Sequence, residues 1–152
     1  MSVRLRFMLS LRRKNRRVWA MFEQTEITTT NTANWQTEVL DAERLVVVMF
    51  WHEQCPYCRV LAPVFEELSH EYADRLKFVR FNVLENSENE ALAARYGVMG
   101  TPTLMFFCQG RPVQDFVGAL TRDYVQQGIE FALKKHQECA AKSTPLKLPY
   151  IS

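Results

Sequence analysis

Leu45-Val46-Val47-Val48-Met49-Phe50-Trp51-His52-Glu53-Gln54-Cys55-Pro56-Tyr57-Cys58 is the stretch whose reading settles the fold class. Its first seven residues are apolar without alternation, and three in a row are valine. A short β-branched run of this kind predicts a strand covered on both faces, as in the centre of a parallel sheet. His52 to Cys55 form the loop leaving its C-terminal end. From Pro56 to about Ala73 a helix is predicted. Val60, Leu61, Val64, Phe65, Leu68 and Tyr72 recur on it at helical spacing, and Pro63 kinks it.

The two cysteines therefore fall where a buried strand hands over to a helix. The first helical turn presents free N–H groups and a partial positive charge, and both favour a thiolate over a thiol. Cysteines so placed titrate below the usual value of about 8.5. Pro56 in that turn costs no hydrogen bond. Cys58 lies one turn further in, close enough to form a disulfide with Cys55. One sulfur attacks and the other resolves, which is thiol–disulfide exchange. The loop position predicts an exposed Cys55 and a more shielded Cys58.

The competing reading of Cys-x-x-Cys is half of a zinc site, which needs four ligands. Cys108 and Cys139 form no second pair at such spacing, and His52, His70 and His136 form no His-x₃₋₅-His. No metal and no cofactor is expected. Cys108, at a strand end, reads as a small buried hydrophobe. Cys139 falls in the tail and reads as an exposed, unactivated thiol. Four cysteines in 152 residues are no dense disulfide framework, so a reducing compartment, the cytoplasm, is the expectation.

Outward from the dithiol, a short edge strand is expected at Ile27–Thr30 and a helix from an Asn34 cap to about Arg44. Strands follow at Leu76–Val83 and Thr103–Phe107, with a short helix at Glu88–Tyr96 between them. Gln109-Gly110 turns a hairpin into Pro112–Val117, and Thr121 caps a last helix. The order is that of an α/β domain with mixed strand directions. Residues 1–33 read as a basic, disordered tail and linker, 34–137 as the domain, and 138–152 as a C-terminal tail.

Charge supports that division. Of the 19 Lys and Arg, seven lie in residues 1–22, which hold no acid. Residues 23–152 therefore carry 12 basic against 17 acidic residues, a net of −5. A nucleic-acid partner is not expected, because the basic excess is off the folded part. No apolar run is long enough to span a bilayer. The basic segment resembles no secretory signal. An artefactual or disordered tail is the favoured reading, with organellar import as the alternative.

Taken together, Phe50 to Arg59 with Ala62-Pro63 resembles the active-site strand and kinked helix of thioredoxins. Tyr96-Gly97-Val98-Met99-Gly100-Thr101-Pro102-Thr103-Leu104 resembles the segment of that family that ends in a cis-proline. Gly110 and Val117-Gly118-Ala119-Leu120 match its hairpin turn and last strand. The likeness covers about residues 34–134. It implies a thioredoxin fold, with a central mixed sheet of four to five strands flanked by helices on both faces. It also implies a protein-disulfide oxidoreductase with Cys55 attacking and Cys58 resolving. Trp51, Pro56, Tyr57, Thr101 and Pro102 would form the substrate-binding surface. The partners it implies are disulfide-containing client proteins and an upstream reductase, and the protein is expected to be a monomer.

The sequence departs from the family at three places. Pro56-Tyr57 is the glutaredoxin dipeptide. Met49 stands where thioredoxins usually have a buried acid, and Gln54 where they usually have Trp. His52 or Glu53 could stand in for that acid, although an idle loop pair is the plainer reading. A glutathione-linked enzyme is one alternative, but a Gly-Gly followed by acidic residues is missing at Val117–Leu120. A non-catalytic polypeptide-binding module is another, but it would have no need of thiols.

Overall fold

The computed structural model describes residues 27–142. Its elements are β1 (Thr28–Thr30), α1 (Gln36–Leu40), β2 (Leu45–Trp51), α2 (Pro56–Glu71), β3 (Leu76–Asn82), α3 (Ser87–Arg95), β4 (Thr103–Cys108), β5 (Arg111–Val117) and α4 (Arg122–Lys142). The strands form one sheet in the order β1-β3-β2-β4-β5. β1, β3 and β2 run parallel, β4 is antiparallel to β2, and β5 is antiparallel to β4. This is the mixed sheet expected from the sequence, with all five strands present.

β2 is central, and every residue from Leu45 to Phe50 is buried. Successive side chains point to opposite faces, so the run feeds two cores. Leu45, Val47 and Met49 pack with Leu61, Phe65 and Leu68 of α2 and with Val125, Ile129 and Ala132 of α4. Val46, Val48 and Phe50 pack with Val39 of α1 and with Leu92 and Ala93 of α3. Each such side chain contributes on the order of 1.5–3 kcal/mol when fully buried, which is why a run without polar positions is required here. On the second face Trp35 gathers Phe50, Phe81, Tyr96 and Phe107 at centroid distances of 5.3–6.1 Å. Its indole N–H donates to the Tyr96 hydroxyl at 3.3 Å.

Two expectations need correction. The helix expected from Asn34 to Arg44 is a single wide turn, closed by the Asp41 N–H donating to Gln36 O at 2.8 Å. The Asn34 side chain does not cap it. Its Oδ1 instead accepts from Thr30 Oγ1 (2.6 Å) and the Asn31 N–H (2.8 Å), a local competition that short polar side chains often win. The second correction concerns the ends of the domain. β1 pairs with β3, and Thr32 donates through N–H and Oγ1 to Asn89 Oδ1 at 3.0 and 2.8 Å. The folded unit thus includes residues 27–33. At the other end α4 continues to Lys142 through the expected tail boundary at 138, because good helix formers (Gln137, Glu138, Ala140) surround a Cys139 that packs on the core. Residues 1–26 and 143–152, on which the tail readings fall, lie outside the described residues.

The register also positions the site. Trp51 pairs with Asn82, and Phe50 with Thr103. The C-terminal ends of β2 and β3 and the start of β4 therefore share one edge of the sheet.

Candidate active site

Cys55 is the N-cap of α2, with extended backbone (φ −89°, ψ 108°), and Pro56 follows in the first turn. The Cys55 N–H donates back to His52 O at 3.3 Å, closing the loop that leaves β2. Its Sγ takes the role a capping oxygen usually plays and accepts the Cys58 N–H at 3.2 Å. The two sulfurs are joined as a disulfide, with the Cα atoms 5.2 Å apart, within the ordinary range for such bonds. The expected difference in exposure is absent in this oxidised state: Cys55 is 4% exposed and Cys58 3%. Each sulfur covers the other, and the cap contact holds Cys55 against the helix.

The remaining expected residues surround this pair unevenly. Trp51 is half-buried at the end of β2, Pro56 is exposed, and Tyr57 is 64% exposed. Thr101 is half-buried, Pro102 is buried, and the bond between them is cis. Because Phe50 pairs with Thr103, Thr101-Pro102 lies opposite Trp51 at the dithiol's edge of the sheet. Pro102 O accepts the Gly118 N–H at 2.8 Å, and Thr103 Oγ1 donates to Gly100 O at 2.7 Å, which pins the segment at both ends. Sequence reasoning missed two exposed apolar neighbours. Val60, placed in the helical stripe, is 61% exposed, and Met99, just before Gly100-Thr101-Pro102, is 97% exposed. With Tyr57 they add apolar surface to this end of the molecule. A periodic pattern could not separate Val60 from the buried Leu61 beside it.

Behind the dithiol, Cys58 borders a cavity of about 230 Å³ shared with Met49, Trp51, His52, Glu53 and Arg80. Met49 and Arg80 are register partners on β2 and β3. Trp51 Nε1, His52 Nδ1 and Arg80 Nε are buried without a protein hydrogen-bond partner among the described residues. The sequence departure at Met49 thus places a thioether in the wall, and the charged residues that line the cavity are Glu53, Arg59 and Arg80. His52 and Glu53 both reach the cavity, while the Glu53 carbonyl accepts from Arg59 at 3.2 Å.

The other two cysteines correct the sequence reading. Cys108, at the end of β4, and Cys139, on α4, are joined as a second disulfide with Cα atoms 6.6 Å apart. Their separation of 31 residues hid a contact that only the packing of α4 on β4 creates. Among the described residues no group of three His, Cys, Asp or Glu is arranged to hold a metal ion. None of the described helices is long and apolar enough to cross a membrane.

Comparison with known proteins agrees with this geometry. A family model described as Thioredoxin matches residues 26–131. Thioredoxin C-2 of Corynebacterium nephridii is 42% identical over 104 residues, covering 68% of this chain and 94% of the relative. A thioredoxin of Acidithiobacillus ferridurans is 39% identical over 89 residues, covering 59% and 80%. Thioredoxin M4, chloroplastic, of Arabidopsis thaliana is 31% identical over 105 residues, covering 69% and 53%. These relatives come from bacteria and from a chloroplast, and disulfide-containing substrates and a reductase partner go with the family. Carrying its Cys-x-x-Cys at the head of α2, the chain belongs to the thioredoxin family and is a thiol–disulfide oxidoreductase.

Proposed function

We propose that Cys55 is the attacking thiol and Cys58 the resolving thiol in the reduction of protein disulfides. The single observation that carries the assignment is the Cys58 N–H on Cys55 Sγ at 3.2 Å, at the first turn of a sixteen-residue helix. A backbone donor and the helix dipole both stabilise negative charge on Cys55. In the reduced chain the Cys55 thiolate attacks a substrate sulfur. A mixed disulfide forms, and the substrate's other sulfur leaves as a thiol. Cys58 then gives up its proton and attacks Cys55 Sγ. This expels the second substrate thiol and leaves the Cys55–Cys58 disulfide, so two electrons have passed to the substrate.

The substrate backbone lies along Thr101-Pro102, with Trp51, Pro56 and Tyr57 as the flanking packing surface. The exposed Val60 and Met99 support an extended, partly apolar client segment there. The catalytic unit is residues 27–142 acting as a monomer on client proteins and recharged by an upstream reductase. The compartment read from the sequence is the cytoplasm, with import through the basic segment as the alternative; the Cys108–Cys139 bond weighs against a strongly reducing one.

Insulin reduction by dithiothreitol tests the roles. Cys55→Ser abolishes the catalysed rate, and Cys58→Ser accumulates a mixed disulfide on Cys55. An adduct on Cys58 in the Cys55→Ser chain would reverse the assignment.

A further inference from the structure

Cys108 and Cys139 differ in their surroundings. Cys108 is fully buried (0% exposed) among Leu45, Val47 and Phe106, whereas Cys139 is half-buried on α4. His136 lies one turn before Cys139 on the same helix. It brings Nδ1 within 3.1 Å of Cys108 Sγ. The pair is also far from the dithiol. β4 begins at Thr103, opposite Phe50, and ends at Cys108, about 17 Å further along the strand. The two disulfides therefore sit at opposite ends of the sheet and cannot exchange within one chain.

We propose that Cys108, Cys139 and His136 form a second redox site. Its disulfide is opened from the Cys139 side by a small-molecule thiol, with Cys108 as leaving group and His136 as its proton donor. Access decides which sulfur is attacked, and Cys139 is the reachable one. The incoming thiolate bonds to Cys139 Sγ, the Cys108–Cys139 bond breaks, and its electron pair goes to Cys108 Sγ. A bare thiolate in an apolar pocket is costly. His136, already in contact through Nδ1, delivers the proton that makes Cys108 a neutral thiol and is reprotonated from solvent. A second small thiol then attacks the mixed disulfide and releases Cys139 as a thiol. Two small thiols have become one small disulfide, and two electrons have entered the protein. In oxidation each step runs backwards, and His136 takes the proton from Cys108. The site responds to the ambient thiol poise and fastens or frees the end of α4 against β4, independently of the Cys55–Cys58 cycle.

The full chain carrying Cys55→Ser and Cys58→Ser isolates the second pair; serine is itself a good N-cap, so α2 keeps its start. Glutathione buffers of stepped ratio, quenched by alkylation and read by mass, follow the pair. The expected results are loss of two hydrogens in oxidising buffer and a transient glutathione adduct on Cys139. His136→Gln is expected to slow opening and closing by the same factor, at least about tenfold, without moving the midpoint ratio. A structural role for His136 would move the midpoint instead. A pair that stays reduced in oxidising buffer, an adduct on Cys108, or unchanged rates in His136→Gln would each overturn the proposal.

Discussion

Cys139→Ser removes one cross-link and leaves the Cys55–Cys58 pair in place. The bonded partners are 31 residues apart at Cys108–Cys139 and 3 apart at Cys55–Cys58. A cross-link acts largely on the unfolded chain, by removing loop-closure entropy that grows with the logarithm of loop length. A closed loop of about 32 residues corresponds to ~3.7 kcal/mol at 25 °C, and a loop of about four residues to ~1.9 kcal/mol. The pair far from the dithiol therefore stabilises the fold more than the dithiol does. The loop it closes contains β5 and most of α4, which covers one face of the sheet. Serine at a half-buried position changes little else. The expected loss is about 3–4 kcal/mol, a large share of the roughly 5–15 kcal/mol that holds a domain together. With a urea m-value of about 1–2 kcal/mol/M, the midpoint falls by roughly 1.5–4 M. The assay is urea unfolding of oxidised wild type and Cys139→Ser at 25 °C, repeated with a phosphine reductant. Under reductant the two curves should coincide, because neither chain then has the long cross-link. A loss below about 1 kcal/mol in the oxidised pair would refute the loop-entropy reasoning.

Three further outcomes are expected. The Tyr72 phenol is buried and donates to Glu130 Oε1 at 2.7 Å; burial first, and the bond to Glu130 second, hold it above the ordinary tyrosine value. The folded chain keeps this proton more tightly than the unfolded one, so its stabilising effect is complete below about pH 10 and is lost as the pH rises through the folded value. Urea midpoints of wild type should then fall more steeply than those of Tyr72→Phe on going from about pH 9 to pH 11, and parallel curves would contradict this. At Gly128 an added Cβ would meet Phe116 Cε2 and Cζ at 2.6 and 2.9 Å, and that ring is held between Phe106 and Tyr124. The helix gain of about 1 kcal/mol in Gly128→Ala is outweighed by about 1–3 kcal/mol of overpacking, so its urea midpoint should fall; an equal or higher one would mean that β5 yields. Equilibration against glutathione should give the Cys55–Cys58 pair a potential of about −230 to −260 mV, between the reference values for thioredoxin and glutaredoxins. Replacing Pro56-Tyr57 by Gly-Pro should make it more reducing, and an unchanged value would move the cause elsewhere in the site.

The dithiol was legible in the chain because its chemistry is local. The apolar run Leu45–Trp51, the loop and Pro56 place Cys55 at a helix start whatever surrounds it, and three residues of separation suffice to bring Cys58 within bonding reach. The parallel centre of the sheet was legible for a related reason, since only a strand covered on both faces tolerates six buried residues in a row. Contacts between distant residues were not legible. Asn34 offered a cap by its type, but Thr30 and Asn31 claimed its side chain. Val60 and Leu61 are equally apolar in sequence, and only the docking of α2 separates the exposed one from the buried one. Cys108, Cys139 and His136 carry no motif, because the antiparallel return of β4 and the angle of α4 across it decide that they meet. Residue type and short-range spacing determine the strand–loop–helix junction and the reaction it supports. Long-range packing, which joins residues the chain keeps apart, decides which side chains border the Cys58 cavity and which cysteines besides the dithiol are bonded.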